Sequence, residues 1–185
     1  MSLQKITLAN AKDRFYLEPL SAQSKLKGFK CAVDEYTDYL FKDSIRSLND
    51  HIAKTWLLHE KETGLLAAYM SLIADAIKLS FTEKELHGLN YPFRTIPAMK
   101  IAKLAVDEIF IKKYKGIGTF MIQTAEYLSY GLNKNYIAAR FLTVDADIEH
   151  NGTVIEFYQK NGFIPNAEFN NKNRKTVSMR KDIFA

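Results

Sequence analysis

The predicted order of strands and helices places this chain in the α/β or α+β class. Three patterns support this assignment: an apolar hairpin in the first half, a strand that leads into a glycine loop and a helix, and a strand–helix–strand series towards the end. Alternating apolar residues predict strands, whereas apolar residues three or four positions apart predict helices. With 185 residues, of which 47% are hydrophobic, the chain can bury a sizeable core, and we expect a single domain over residues 1–185.

The first half is predicted to begin with short strands and to continue through a helix into the hairpin. Its predicted strands lie at residues 4–8, 14–18, 55–60 and 65–79. Residues 31–53 are predicted as a helix, because apolar residues recur at helical spacing and acidic residues occupy the first turn. The turn "KETG" at 61–64 joins the last two strands as a hairpin. Residues 80–97 are polar and contain two X-Pro pairs, which predicts an excursion over the surface.

The second half is predicted to alternate strands with helices around a glycine loop. Its predicted strands lie at residues 98–110, 138–146 and 175–183. Residues 117–133 carry apolar side chains on one face and are predicted as an amphipathic helix. Residues 151–162 are predicted as a short helix that Gly162 ends, since glycine readily adopts the left-handed conformation that often follows a helix.

Charge and composition restrict the classes of function without selecting one. The net charge is +5 and the isoelectric point about 9.1, a mild excess that suits solubility as well as a phosphate-bearing partner. The basic residues form two groups: Lys100, Lys103, Lys112, Lys113 and Lys115 before the glycines, and Lys172, Arg174, Lys175, Arg180 and Lys181 near the C-terminus. The single cysteine, Cys31, excludes an internal disulfide and suits a reducing, cytoplasmic location. No apolar run approaches roughly 20 residues and the histidines are scattered, so we expect neither a membrane span nor a metal site.

The stretch "KKYKGIGTFMI" at 112–122 places two glycines among lysines directly before a predicted helix. Unpaired backbone N–H groups and the positive end of the helix dipole make such a loop a physical anion site. The spacing of Gly116 and Gly118 matches neither G-x-x-x-x-G-K-[ST] nor G-x-G-x-x-G, which argues against a P-loop NTPase and a Rossmann dinucleotide site. A tight turn explains the glycines equally well, so both interpretations stay open at this point.

Together with a second motif, this loop resembles the GNAT superfamily of acetyl-CoA-dependent N-acyltransferases. The family signature is Gln/Arg-x-x-Gly-x-Gly/Ala at the start of a helix, and residues 113–118 fill it with Lys113 in place of Gln or Arg. The second element is an Asn seven residues before a Tyr, and "NGTVIEFYQKNGF" at 151–163 supplies Asn151 and Tyr158. The resemblance implies the GNAT fold: a mixed, mostly antiparallel sheet of about six to seven strands, flanked by helices and splayed at the cofactor-binding strands.

The resemblance also implies acetyl-CoA as cosubstrate, with Tyr158 and Val106 as the catalytic residues. The residues that it assigns to cofactor binding are Leu104, Ala105, Val106, Lys113, Lys115, Gly116, Ile117, Gly118, Thr119, Asn151 and Tyr158. Backbone N–H groups from Lys115 to Thr119 would hold the pyrophosphate, and Asn151 the pantetheine. The strand end would pair with the pantetheine, and a backbone N–H near Val106 would stabilise the oxyanion. Tyr158 would protonate the departing thiolate; a phenol of pKa about 10 can supply a thiolate of pKa about 8.5 when the site favours the transfer.

The sequence departs from the family pattern between the strand and the glycines. Nine residues, 107–115, separate Val106 from Gly116, which is more than in many family members. Either this segment carries an insertion, or the contact register lies further along, near 109–111. The general base is weakly specified, and its candidates are Asp107, Glu108, Glu149 and His150. Water is an equally good acceptor for the proton of the amine.

These motifs do not specify the acceptor. The segments 29–40 and 91–107 resemble a GNAT branch that contains the toxins of toxin–antitoxin pairs, which acetylate the amino group of aminoacyl-tRNA. That branch would imply a tRNA and an antitoxin as partners, and a homodimer also stays open. A small amine or a protein N-terminus fits the same chemistry. The non-enzymatic alternative is a module that binds CoA or a protein without turnover, in which Tyr158 is a core residue and Asn151 a helix cap.

Overall fold

A computed structural model describes residues 3–167 and 175–185 of the chain. Within these ranges the helices are α1 (Leu8–Arg14), α2 (Asp34–Asp38), α3 (Ser44–Asn49), α4 (Phe81–Leu86), α5 (Glu108–Lys113), α6 (Ile117–Asn135) and α7 (Val154–Lys160). The strands are β1 (Gln4–Lys5), β2 (Phe15–Pro19), β3 (Lys54–Glu60), β4 (Leu66–Lys78), β5 (Thr95–Val106), β6 (Tyr114–Lys115), β7 (Phe141–Asp147), β8 (Ile164–Pro165) and β9 (Thr176–Asp182). A π-helical turn at Tyr39–Asp43 connects α2 to α3.

Seven of these strands form one mixed sheet in the order β2-β3-β4-β5-β7-β9-β8. Antiparallel pairing joins β2 to β3, β3 to β4, β7 to β9 and β8 to β9, whereas β5 and β7 are parallel. The parallel register pairs Ala98–Ile101 with Phe141–Val144, while β5 continues to Val106 and β7 to Asp147. The predicted fold class, a mostly antiparallel mixed sheet flanked by helices, is confirmed. The splay at the cofactor-binding strands stays a prediction.

The chain divides into two compact units, neither of which is a continuous stretch. The first unit comprises Met1–Ile73 and Ala102–Thr124, and the second comprises Ala74–Ile101 and Ala125–Ala185. Strands β4 and β5 and helix α6 each contribute residues to both units. The single domain that the chain length suggests stays a prediction.

The core of the first unit joins the β3–β4 hairpin to the helical segment from α2 to α3. Leu40, Leu57 and Tyr69 are completely buried in one cluster, and Tyr36 packs against it. Burial of each large apolar side chain contributes about 1.5–3 kcal/mol. The Tyr69 hydroxyl also donates a hydrogen bond to the carbonyl oxygen of Tyr36 at 2.6 Å. This bond satisfies the one polar atom of the Tyr69 side chain and anchors the helical segment on the hairpin.

The second unit has a smaller apolar cluster and a buried ionic network. The cluster contains Ile77, Leu79, Ile96, Ala98 and Phe141. Beside it, the guanidinium of Arg180, which is 1% exposed, donates to Glu83 Oε1 at 2.7 Å and to Asn166 Oδ1 at 2.8 Å. A buried cation is tolerated only when such partners replace its hydration, so this network is part of the core of the second unit.

Most of the predicted elements are present, with shifted ends. The predicted hairpin is β3 and β4, and the amphipathic helix of the second half is α6. The helix predicted at 31–53 begins at Asp34 and contains the π-helical turn. The two short strands of the N-terminal region are β1 and β2, with α1 between them. The surface excursion predicted at 80–97 is largely exposed, and it contains the short helix α4, which a capping box at Ser80 starts, while β5 already begins at Thr95.

The strand predicted at 98–110 is wrong at its end. β5 stops at Val106, and α5 follows after a single residue. That residue is Asp107, whose carboxylate caps α5 by accepting a hydrogen bond from the Ile109 N–H at 2.9 Å. The nine residues between Val106 and Gly116 fold mainly as α5 and β6. Because residues 109–111 are helical, they do not present a strand edge to a ligand, which favours a contact register at the end of β5; that register stays a prediction.

Candidate active site

The predicted oxyanion-binding segment is the end of β5 in the first unit. Ala105 is 6% exposed and lies in the core cluster, whereas Leu104 and Val106 are half-buried. Because side chains alternate along a strand, Leu104 and Val106 share the face opposite to Ala105. The next residue, Asp107, donates its N–H to the Ala67 carbonyl of β4 at 2.9 Å. The strand end is thus held in place up to its last residue.

Asp107, one of the candidates for the general base, has a structural role. It is 2% exposed, and its Oδ2 accepts a hydrogen bond from the Lys30 N–H at 2.8 Å, while Oδ1 caps α5. The N–H of Glu108 donates to the Lys30 carbonyl at 2.9 Å. Since both carboxylate oxygens already accept backbone hydrogen bonds, Asp107 fixes the junction between β5 and α5.

Local backbone geometry explains why residue 116 is glycine. Its φ is +98°, and a Cβ at this position would lie 2.7 Å from the carbonyl oxygen of Ile6. The Ile6 N–H donates to the Lys115 carbonyl at 2.7 Å, and β1 pairs in parallel with β6. The N-terminal strand therefore lies close against the loop. A side chain at position 116 would clash with the Ile6 carbonyl and would also have to adopt a positive φ, which residues other than glycine rarely do.

The same glycine also begins helix α6. The Gly116 carbonyl accepts the Phe120 N–H at 2.9 Å, which is the first bond of the helix. The N–H groups of Ile117, Gly118 and Thr119 have no intrahelical acceptor at this end, where the helix dipole is positive. Ile117 is 2% exposed, and its two successors are half-buried. The tight turn and the anion site are thus compatible interpretations of one loop, and phosphate binding stays a prediction.

A buried carboxylate holds the residues that precede this loop. Glu60 is 2% exposed, and its Oε1 accepts from the Lys113 ammonium at 2.7 Å and the Tyr114 hydroxyl at 2.6 Å. Its Oε2 accepts from the Thr63 hydroxyl at 2.8 Å. Burial by itself raises the pKa of Glu60, but these three hydrogen bonds outweigh it and hold the pKa below its ordinary value. Glu60 is therefore a carboxylate at neutral pH.

Most of the lysines and arginines in the two predicted basic groups are engaged in ion pairs. The pairs join Lys100 to Asp145, Lys103 to Glu35, Lys113 to Glu60, Lys175 to Glu149, Arg180 to Glu83 and Lys181 to Glu126. Lys172 and Arg174 lie outside the described residues. Lys112 and Lys115 are exposed and, within the described part of the chain, have no carboxylate partner. Beside the glycines, these two lysines carry the charge that remains available to a phosphate.

Asn151 and His150 stand at the entry to α7 in the second unit. The Asn151 Oδ1 accepts from the Thr153 N–H at 3.0 Å and from the Thr153 hydroxyl at 2.9 Å. Asn151 therefore shapes the turn before the helix, and its Nδ2 still carries two donors. His150 Nδ1 lies 2.8 Å from Asp147 Oδ2 and donates to this carboxylate, so Nε2 is the ring nitrogen that would carry the lone pair of a neutral imidazole.

Tyr158 is buried on α7 among aromatic side chains. It is 8% exposed and packs edge-on against Phe157 and Phe163, with ring centroids 5.1 and 5.3 Å away. Burial raises the pKa of Tyr158 to about 12, so the phenol keeps its proton at neutral pH. Within residues 3–167 and 175–185, its hydroxyl has no hydrogen-bond partner. A general acid must be protonated before it acts, so this state is compatible with that role, while the raised pKa makes the phenol a weaker acid than a free tyrosine.

The predicted residues are distributed over the two units. The first unit contains the end of β5 and the glycine loop, and the second contains Asn151 and Tyr158. Sequence patterns did not identify Glu60, because its partners Lys113 and Tyr114 lie 53 and 54 positions away. The available signal was a carboxylate that ends the otherwise apolar strand "TWLLHE", where a buried charge needs a partner.

The described residues contain neither a helix that is long and apolar enough to cross a membrane nor a cluster that suits a metal ion. A metal cluster would need three or more His, Cys, Asp or Glu side chains close together.

The sequence matches no protein-family model and no curated protein. The structure is similar to several solved ones. A tyrosine-to-phenylalanine mutant of KacT has a TM-score of 0.73 at 19% identity, over 90% of this chain and 95% of that one. AtaT complexed with acetyl-methionyl-tRNAfMet has a TM-score of 0.73 at 19% identity, over 89% of this chain and 93% of that one. An AtaT mutant toxin bound to the C-terminus of the antitoxin AtaR and to acetyl-CoA has a TM-score of 0.66 at 17% identity, over 90% of this chain and 92% of that one. This chain therefore has the GNAT fold that it shares with KacT and AtaT.

Proposed function

We propose that this protein is an N-acetyltransferase that transfers the acetyl group of acetyl-CoA to a primary amine. The observation that carries the proposal is the buried Tyr158 phenol, which is protonated and has no described partner. The GNAT fold supports it, as does the acetyl-CoA in the similar AtaT structure. In this proposal Tyr158 and the backbone of Val106 are the catalytic groups.

The reaction is a direct attack of the amine nitrogen on the thioester carbonyl carbon. A C–N bond forms, the C–S bond breaks, and the sulfur leaves as a thiolate. A backbone N–H near Val106 donates to the carbonyl oxygen, which becomes negative in the tetrahedral intermediate. Tyr158 gives its proton to the thiolate and regains one from water. The amine loses its proton to water or to Nε2 of His150.

Each half of the cofactor has its own proposed contacts. The pyrophosphate is bound by the backbone N–H groups of 117–119 at the start of α6, and the exposed Lys115 adds charge. The pantetheine pairs with the backbone of 104–106 as an added strand. Asn151 donates to the pantetheine through Nδ2, since Thr153 already occupies its Oδ1. Lys113 stays paired with Glu60 and contributes by holding the segment before the loop in place.

Replacing Tyr158 by phenylalanine tests the proposal, because the change removes only the hydroxyl. We expect release of CoA from acetyl-CoA to slow by about 100-fold or more, the size of a lost general acid, while the Kd for CoA is unchanged. The assay is a screen of amines that includes charged tRNA. Tyr127→Phe is the matched control, because Tyr127 is 77% exposed, and it should keep full activity.

Two outcomes would contradict the proposed enzyme. If the wild-type protein binds CoA but no amine or charged tRNA gives turnover, the non-catalytic CoA-binding module is the better description. If the wild-type protein does not bind CoA at all, the proposal fails as a whole. Turnover that is equal in the wild type and in Tyr158→Phe would remove Tyr158 from the mechanism and leave the activity in place.

We further propose aminoacyl-tRNA as the acceptor class. The specific support is AtaT, a structure of the same fold that is complexed with acetyl-methionyl-tRNAfMet. The net charge of +5 suits a polyanionic partner. Acetylation of charged tRNA in preference to small amines and peptides would support this acceptor, and the reverse order would overturn it. Growth arrest on expression, relieved by a small antitoxin encoded next to the gene, would identify the second partner.

A further inference from the structure

The segment that joins β5 to α6 is fixed to the first unit at three points. The buried Asp107 caps its start, and β1 pairs with its end next to Gly116. Between these points, both Lys113 and Tyr114 donate to the same carboxylate oxygen of Glu60, at 2.7 and 2.6 Å. The first two contacts are made by backbone or by a helix cap, and the third is made by a buried charge.

The contact between Tyr114 and Glu60 fixes the backbone directly before the loop. Tyr114 is 4% exposed, and its ring packs edge-on against Phe15 with centroids 5.2 Å apart and stacks on Phe110 at 6.3 Å. A ring that is enclosed in this way has one position for its hydroxyl, so the bond to Glu60 sets where the residue lies. Lys113, at 44% side-chain exposure, reaches the same oxygen from the solvent side.

We infer that Glu60 is a positioning residue for the binding of the cofactor phosphates. Tyr114 is followed directly by Lys115 and Gly116, so a shift of Tyr114 moves the Lys115 ammonium and the first N–H groups of α6. Loss of the Glu60 charge weakens phosphate binding and leaves the strand end at Val106 unchanged. The inference rests on the proposed function, because it assigns the phosphates of acetyl-CoA to this loop.

The substitution Glu60→Gln tests the inference, because it keeps the size of the side chain and removes the charge. The Kd is measured by calorimetry for CoA and for pantetheine, which lacks the nucleotide and its phosphates. We expect CoA to bind about tenfold more weakly or worse, the effect of one or two lost charge-assisted hydrogen bonds, and pantetheine within about twofold of the wild type. In turnover, KM for acetyl-CoA rises and kcat at saturation is kept.

The matched control is Glu62→Gln, two residues along the chain. Glu62 is 79% exposed and lies 4.0 Å from the same Lys113 ammonium, so it tests the surface charge alone and should leave both Kd values unchanged. Tyr114→Phe is the second test variant, because it removes one hydrogen bond and leaves the ring. It should shift the Kd for CoA in the same direction as Glu60→Gln and by less.

The outcomes separate this inference from the proposed function. If wild-type protein does not bind CoA, the proposed function fails and the inference fails with it. If the wild type binds CoA and a folded Glu60→Gln binds it equally well, only the inference is overturned. Equal losses for CoA and pantetheine would make Glu60 a residue of general stability and would also overturn it. Should Glu60→Gln not fold, Tyr114→Phe decides by the same comparison.

Discussion

Gly116 is the residue of the loop whose chemical identity the structure explains most directly. Its φ of +98° is a conformation that side chains with a Cβ rarely adopt, and the Ile6 carbonyl stands where that Cβ would be. We expect Gly116→Ala to lower the free energy of unfolding by roughly 1–3 kcal/mol, the usual cost of such backbone strain. Urea unfolding of the purified protein measures it.

A second glycine, further along helix α6, provides the control for this prediction. Gly131 lies inside α6 with nothing within 4 Å of its Cβ position, so Gly131→Ala should stabilise the protein by about 0.5–1 kcal/mol. The same substitution, glycine to alanine, should therefore lower the free energy of unfolding at position 116 and raise it at position 131. A neutral or stabilising Gly116→Ala would show that β1 does not close on the loop as described.

At the scale of elements, prediction from the sequence succeeded where the signal is local. The hairpin β3–β4 and the helix α6 follow from the periodicity of their own apolar residues, which is why both were identified. Helix α5 was missed because its formation depends on Asp107, which bonds Lys30 77 positions away. The strand pattern before it was extended through the apolar residues Ile109 and Phe110, although "AVDEIF" itself does not alternate and Asp107 begins a helix there.

The same distinction separates the predicted site residues from Glu60. Gly116, Asn151 and Tyr158 belong to short motifs whose spacing is visible in the sequence. Glu60 has no motif, and its role appears only when the fold brings β3 beside α5 and β6. The motifs also did not reveal that Lys113, assigned to phosphate, has its ammonium on a buried carboxylate.

The cap of α5 gives a prediction at this scale. Asp107→Ala removes the N-cap, which costs about 0.5–2 kcal/mol, and leaves the Lys30 N–H without its acceptor, which costs about 1–3 kcal/mol more. We expect the free energy of unfolding to fall by roughly 2–4 kcal/mol in a urea titration. Glu108→Ala, one residue further along and half-buried, should change it by much less. Equal losses would deny Asp107 its structural role and return it to the candidates for the general base.

At the scale of the whole molecule, each compact unit contains a buried carboxylate paired with a cation. In the first unit this is Glu60 with Lys113, and in the second Glu83 with Arg180 at 2.7 Å. In both carboxyl groups burial raises the pKa, but hydrogen bonds and the neighbouring cation outweigh it and hold the pKa below its ordinary value of 4.5. These two carboxylates therefore contribute stability that is complete above about pH 4.5 and is lost as the pH falls further.

The network of the second unit extends from Arg180 to a buried histidine. His87 Nε2 accepts from Arg180 Nε at 3.3 Å, and its Nδ1 lies 3.0 Å from Asp182 Oδ2. Burial and then the charge of Arg180 lower the pKa of His87, while Asp182 acts against them. A proton on Nε2 would face the Arg180 N–H, so the folded protein holds His87 neutral with its proton on Nδ1.

This arrangement predicts a loss of stability in mild acid. The pKa of His87 lies below its ordinary value of 6.5 in the folded protein, so below about pH 6.5 the unfolded chain binds more protons than the folded one. The stability from neutral His87 is complete above that pH and declines as the pH falls.

The variant His87→Gln tests this prediction, because glutamine keeps a donor for Asp182 and an acceptor for Arg180 and does not titrate. Between pH 7.5 and 5, above the range of the two carboxylates, its urea midpoint should fall less steeply than that of the wild type. A slope for His87→Gln equal to that of the wild type would remove His87 as the cause.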